Sequence, residues 1–477
     1  MNLHRNQETR PAFSANFRHF LLMISVTCVF SGNLFAGDER ESTNSSDDHG
    51  PAQQNFPDTS GTISTFTTNK FIDTKNPFFQ DLGTNGRSCG TCHQASDAWT
   101  VTPAHLRERF ERSDGRDPIF RLNDGANCSS ADVSSVRARR SAYSLLLSKG
   151  LIRIAMSMPA NAEFTVVSID DSYHCSSASE LSMYRRPLPT TNLRFLSVVM
   201  WDGRETVPGQ PIVADLKTQA KDATLGHAQG AAAPTDQQLD EIVAFEMGLF
   251  TAQSRDVDAG RLDSDGGRGG PYILSNQEFF IGINDPLGLN PTAAAFDPEA
   301  FTIFKKWEFL GSFESRSQTA ARESVARGEK IFNTKPISIA GVGGLNDNLH
   351  LPVITGTCTT CHDSPNVGDH SVVAPLNIGV SDASRRTNDL PLFTLHCNTT
   401  GVDVQTSDPG RAMVTGKCSD IGKVKGPILR GLAARPPYFH NGSAANLLDA
   451  VNFYDSRFAL GLTPAEKQDL VAFLKSL

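Results

Sequence analysis

The sequence predicts a mainly α-helical protein: two helical domains with long irregular loops and a small β insertion in the first. Three observations carry that prediction. Helix-start signals recur along the chain, whereas only Glu163–Ile169 (EFTVVSI) has the make-up of a short strand, part of a small hairpin. Two identical cysteine motifs stand 269 residues apart, one in each half. At 477 residues and 39% apolar content the chain is long enough for two or three domains, each with its own core.

The elements follow in order. Arg5, Arg10, Arg18 and His19 precede the apolar run Phe20–Phe30, and a cleavage position follows Ala36. That is the layout of a secretory signal over residues 1–36, and the run is too short to cross a membrane, which takes about 20 residues. A permanent anchor is the competing reading. Residues 37–65 are polar and acidic, and are expected to form a flexible leader. The first domain is expected over 66–320. In it Thr102-Pro103 starts one helix, with a cap followed by a first-turn proline. Thr235-x-x-Gln238 starts another as a capping box, followed at helical spacing by Leu239, Ile242, Val243, Met247 and Phe250. Residues 260–270 form a loop whose Asp-x-Asp-Gly is read as a solvated turn ahead of a calcium site. The second domain is expected over 321–477. It opens with the helical run ARESVARGEKIF and closes with Thr463-Pro-Ala-Glu466, again a capping box with proline. Leu470, Phe473, Leu474 and Leu477 make an apolar stripe on that last helix.

Charge narrows the function classes. With 44 basic and 52 acidic residues the net charge is −8, which argues against a nucleic-acid partner.

The cysteines carry the chemistry. Cys28 falls in the signal. Four others form Cys89-Gly-Thr-Cys92-His93 and Cys358-Thr-Thr-Cys361-His362. Two thiols at this spacing reach the two vinyl groups of one porphyrin, and the next imidazole binds its iron from the same side. This composition yields on the order of 0.004 such motifs by chance, so two are a strong signal for two covalently bound haem c groups. Zinc would want two more ligands at short spacing, and a thiol redox pair would not need the histidine twice. His93 and His362 are therefore the expected iron ligands. The remaining four cysteines suggest disulfides in an exported chain, with Cys128–Cys175 and Cys397–Cys418 preferred among three possible pairings.

Around these motifs the chain resembles bacterial di-haem cytochrome c peroxidases and the MauG branch of that superfamily. The resemblance rests on Arg185-Arg186-Pro187-Leu188-Pro189-Thr190, on Met200-Trp201-Asp202-Gly203-Arg204 and on Leu216-Lys217-Thr218-Gln219-Ala220. It continues in Lys425-Gly426-Pro427-Ile428-Leu429-Arg430-Gly431-Leu432 and Pro437-Tyr438-Phe439-His440-Asn441-Gly442. It spans about residues 70–477, with a longer insertion between Asp97 and Ser182. It implies two cytochrome c-like domains, a reactive first haem, and a second haem that relays electrons. It also implies that Trp201 lies between them and that Gln219 lies near bound peroxide.

Departures from the pattern matter as much. No histidine shortly precedes the Arg-x-x-Pro-Thr-type segment to cap the first iron, since His174 lies far back beside Cys175. No glutamate follows Gln219 at the family's distance, and His227 is the candidate acid–base group in its place, against the alternative of a surface histidine. Fourteen residues after His440 the resemblance puts the sixth ligand of the second iron. Here that position is Tyr454, as in the MauG branch, where the peroxidases have methionine; Met413 and water are the competing ligands. Arg435 replaces a usual threonine, and Pro187 or Leu188 a usual asparagine, so calcium between the domains is expected to be weak or absent.

The sequence thus supports an exported, periplasmic di-haem peroxidase. It would reduce hydrogen peroxide with electrons from a small redox protein (a cytochrome c or cupredoxin) or an oxidisable substrate. A MauG-like or rubber-oxygenase-like oxidase and a non-enzymatic electron carrier are the alternatives.

Overall fold

Capped helices and small antiparallel sheets build the protein, which was analysed as a computed structural model describing residues 52–311 and 315–477. The signal expected over 1–36 lies outside these residues. Among the described residues no helix is long and apolar enough to cross a membrane.

The helix starts fall where their side chains can serve the first free N–H groups. Thr102 caps Pro103–Ser113, and Ser315 caps Arg316–Thr334. Thr235 and Thr463 form capping boxes with Gln238 and Glu466 at the heads of Asp236–Met247 and Pro464–Lys475. The last helix lies along Arg316–Thr334, and Gly328 makes the close approach possible: a Cβ there would stand 2.0 Å from the Asp469 carbonyl oxygen. Leu470, Phe473, Leu474 and Leu477 enter one core with Phe301, Phe304, Trp307, Val325 and Phe332.

Several expectations need correction. The leader does not run to residue 65. Gln53–Asp58 and Gly61–Thr67 pair as a hairpin, and the second strand continues onto Leu249–Asp256. Their polar composition masked the strands: Ile63, Ser64 and Thr65 are all fully buried. Phe250 likewise lies on that inner strand and not on the helix, which ends at Met247 before Gly248.

The mainly-α class is also too simple. Among the described residues there are twelve helices, several of a single turn, and eleven strands in four sheets. Nor is Glu163–Ile169 half of a local hairpin. The strand Phe164–Asp170 pairs with Leu392–Cys397, which pairs in turn with Val402–Thr406. Phe164 packs with Leu181, Met183, Phe393 and Leu395, a core no local turn supplies. The insertion in the first half is thereby stitched into the second. The described residues from 52 onward form one compact unit.

Buried charge joins the halves as well. Arg185 donates to both Asp408 carboxylate oxygens at 2.7 and 2.8 Å and to Asp202 at 2.5 Å. Cys128 is bonded to Cys175 and Cys397 to Cys418, the preferred pairing. In the 260–270 loop, Asp265 is taken by the Arg322 guanidinium at 2.7 Å, in keeping with a turn rather than a calcium loop.

Candidate functional site

Both cysteine motifs sit on short helical turns closed in the same way. The Ser88 N–H donates to Thr91 Oγ1 at 3.0 Å, and the Thr357 N–H to Thr360 Oγ1 at 2.9 Å. Each bond joins the residue before the first cysteine to the one before the second, which brings both thiols onto one turn. The four thiols are unbridged.

The histidines that follow are held alike. His93 Nδ1 lies 2.9 Å from the Trp99 carbonyl oxygen, and His362 Nδ1 lies 2.6 Å from that of Gly368, six residues on in each case. A carbonyl only accepts, so Nδ1 carries the proton and Nε2 keeps its lone pair. Burial pushes both imidazoles down to about 4, so both are neutral at pH 7. A neutral ring with its far nitrogen tied to the backbone is the arrangement of a metal-binding histidine.

The first motif opens into a cavity of about 1700 Å³, open mouth included. Helix Ile212–Gly226 contributes Leu216, Gln219, Ala220 and Ala223 to its wall. Trp201, His227 and Glu246 complete it from the first half, and Lys425, Arg430 and Arg435 reach it from the second. The charge of this wall tests whether a haem suits it. Desolvation pushes Arg186 down to about 9, Arg430 and Arg435 to about 10 and Lys425 to about 8. Nε and Nη2 of Arg430 and Nε of Arg435 are buried without a hydrogen bond. Buried cations with orphaned donors call for an anion. Beside two thiols and a neutral imidazole, the two carboxylates of a haem meet that need. The residues fit the group.

The cavity brings together three of the predicted residues: Trp201, Gln219 and His227. Trp201 Nε1 donates to the Arg186 carbonyl at 2.8 Å, and its ring centroid lies 5.9 Å from that of His440. His227 Nδ1 is bonded to Asp124 Oδ2 at 2.5 Å, and Asp124 Oδ1 accepts from Arg87 at 2.6 Å. Burial would raise the Asp124 carboxyl, but His227 and the Arg87 guanidinium hold it below its ordinary value. The histidines on the cavity wall are His93 and His227; His174 lies elsewhere, in the insertion.

At the second motif, the Tyr454 ring stands 6.5 Å from the His362 ring, nearly perpendicular to it. Burial raises its phenol. Met413, the rival ligand, packs in the core of the insertion sheet with Phe164 and Phe393. Arg435 sends its guanidinium to the carbonyls of Ile428 and Arg430 at 2.7 and 3.3 Å.

Sequence reasoning missed Asp124, Arg87 and Glu246. Glu246 is 3% exposed, its Oε2 has no hydrogen bond, and burial pushes its carboxyl up to about 8. It had a signal: it interrupts the apolar stretch between Ile242-Val243-Ala244-Phe245 and Met247, where a charged residue has no business unless a cavity receives it. Asp124 had none, because its partner is 103 residues away.

No family model matches the chain. Among curated proteins it is similar to two cytochrome-c peroxidases of Denitromonas iodatirespirans. It is 31% identical to IdrP1 over 139 residues, which are 25% of this chain and 36% of that protein. To IdrP2 it is 33% identical over 135 residues, 26% and 36% of the two chains. The chain thus spans about a third of the length of these relatives. Among solved structures, a MauG-like protein associated with microbial copper homeostasis aligns over 84% of this chain and 86% of its own, at 16% identity and TM-score 0.39. Over the matched segment, then, the chain is similar to curated cytochrome-c peroxidases, and it carries two Cys-x-x-Cys-His motifs in order.

Proposed function

We propose that this protein is a periplasmic di-haem c peroxidase that reduces hydrogen peroxide with electrons from a small redox protein or an oxidisable substrate. The observation that carries the reading is the single cavity holding His93, Gln219, His227 and Trp201 on one wall system. Two disulfides fit an oxidising compartment, as does the signal-like start of the sequence.

Cys89 and Cys92 would tether one haem c and Cys358 and Cys361 another, with His93 and His362 as iron ligands through Nε2. When bound, the haems supply iron that takes up peroxide and stores and delivers electrons. The chain supplies the proton handling. Asp124 accepts from His227 Nδ1–H, which leaves the His227 Nε2 lone pair to take a proton from peroxide and return it to the departing oxygen. Arg87 keeps the Asp124 carboxylate ionised, so the tautomer of His227 stays fixed. The Gln219 amide offers a donor and an acceptor to orient a small polar substrate. The Trp201 indole, anchored on the Arg186 carbonyl, would pass electrons between the two centres.

A specific observation favours a second reading. Tyr454 beside His362 would give the second iron a phenol ligand, which suits ferric iron and the MauG-like oxidase better than a thioether does. Electron paramagnetic resonance of the ferric haem-loaded protein, before and after peroxide, tests the proposal. A high-spin signal that peroxide converts, with turnover when a reduced cytochrome c is added, is expected of the peroxidase. Conversion without donor turnover would favour the oxidase, and two unchanging low-spin signals would leave a plain electron carrier.

A further inference from the structure

A second concentration of buried polar atoms involves none of the residues given a role above. After His362 the chain passes through Asp363 and returns at His370-Ser371. The Ser371 N–H donates to Asp363 Oδ1 at 2.6 Å, and Ser371 Oγ donates to the Ile283 carbonyl at 3.0 Å, which brings in Asp285 from the first half. The side chains of Asp285 and Asp363 are fully buried and that of His370 is 3% exposed.

His370 Nδ1 stands 3.2 Å from Asp363 Oδ2 and its Nε2 stands 3.8 Å from Asp285 Oδ1. None of these four atoms makes a hydrogen bond, nor do Ser364 Oγ and Asp369 Oδ1 beside them. Each orphaned polar atom costs free energy, so a cluster of six calls for an occupant. One ligand atom from each of Asp285, Asp363 and His370 lies within 4.8 Å of the other two.

The charge of the cluster says what kind of occupant. Asp285, Asp363 and Asp369 bring three buried carboxyl groups; Lys425 is the cation beside Asp369, and its Nζ is directed to the Val198 carbonyl at 2.9 Å. A cation is favoured. Calcium takes oxygen ligands, whereas an imidazole with two carboxylates suits a first-row transition ion or zinc. Ligand atoms at 2.0–2.2 Å from zinc lie about 3.4 Å apart, so side-chain rotations of roughly an ångström close the site.

We propose that Asp285, Asp363 and His370 bind one divalent metal ion of the zinc and manganese class, separate from the haem iron. The ion would tie the segment after His362 to the 282–285 loop. The rival is a protonated His370 clasped between two carboxylates with no metal at all.

The haem-loaded full chain, dialysed against zinc and then desalted, is analysed for metals by mass spectrometry. One zinc per chain beyond the iron is expected. Asp285→Asn and His370→Gln should each lower that zinc below about a tenth of an equivalent, with iron content and haem absorbance unchanged. Asp363 is left alone because it adjoins His362. Wild-type protein that holds only iron overturns the proposal, as do variants that keep the zinc. Where a variant fails to fold, zinc X-ray absorption on the wild type decides instead: nitrogen and oxygen neighbours with one imidazole support the site, and a sulfur shell from the cysteines sinks it.

Discussion

At the scale of the residue, the two carboxyl groups near the cavity behave in opposite ways because their surroundings differ. Asp124 has a guanidinium and an imidazole and stays ionised; Glu246 has neither and burial holds it protonated. Two predictions belong here. Glu246 is raised from an ordinary value near 4.5 to about 8, so the folded state binds a proton that the unfolded chain has lost. Stability is therefore undiminished below about pH 4.5 and falls as pH rises towards 8, then levels off. Glu246→Gln should remove that slope and be more stable at pH 9 by on the order of 3 kcal/mol, read by urea unfolding at pH 5 and pH 9. The second concerns proton transfer. His227→Ala and Asp124→Asn should each lower peroxide turnover by about 10²-fold with haem content intact, Asp124→Asn because the amide no longer fixes the proton on Nδ1. Turnover within twofold of wild type in both would remove His227 from the chemistry.

At the scale of the element, caps and close approaches decide where helices begin and how near they lie. The three cap signals read from sequence fall at true helix starts because a cap is a local contract between residues three apart. What a helix packs against is not local. Gly328 is an ordinary weak helix residue in sequence, yet the Asp469 backbone rests on it. Gly328→Ala would gain about 1 kcal/mol of helix propensity in isolation. Here it should instead destabilise by roughly 1–3 kcal/mol, because the last helix must move away from backbone that cannot yield. Thermal unfolding measures it, and a raised Tm would contradict the packing account. Strands show the same limit. Phe164–Asp170 was legible as a strand, but its partner lies more than two hundred residues on, and no turn signal points to it.

At the scale of the whole molecule, the halves are joined by a shared sheet and by buried charge. Burial pushes the Asp202 carboxyl up, but Arg185 and Arg204 outweigh it and hold the group at about 2. Removing Arg185 would leave Asp202 with Arg204 alone and Asp408 with the neutral His440 3.6 Å away. Arg185→Leu should therefore cost about 3–5 kcal/mol, while Arg185→Leu with Asp408→Leu recovers part of it. Denaturant unfolding followed by fluorescence and by haem absorbance should show one shared transition in the wild type. Two separated transitions would mean that the halves fold as independent domains after all.

The sequence alone determined the covalent chemistry and the local geometry. Cys-x-x-Cys-His is a contiguous pattern, and its spacing already contains the distance from two thiols and an imidazole to one porphyrin. Only the tertiary structure decided what surrounds each motif. It placed Asp124 behind His227, Glu246 and a set of buried cations on the cavity wall, and Tyr454 beside His362. Those neighbours are set by burial and long-range pairing, which act between residues with no fixed separation along the chain.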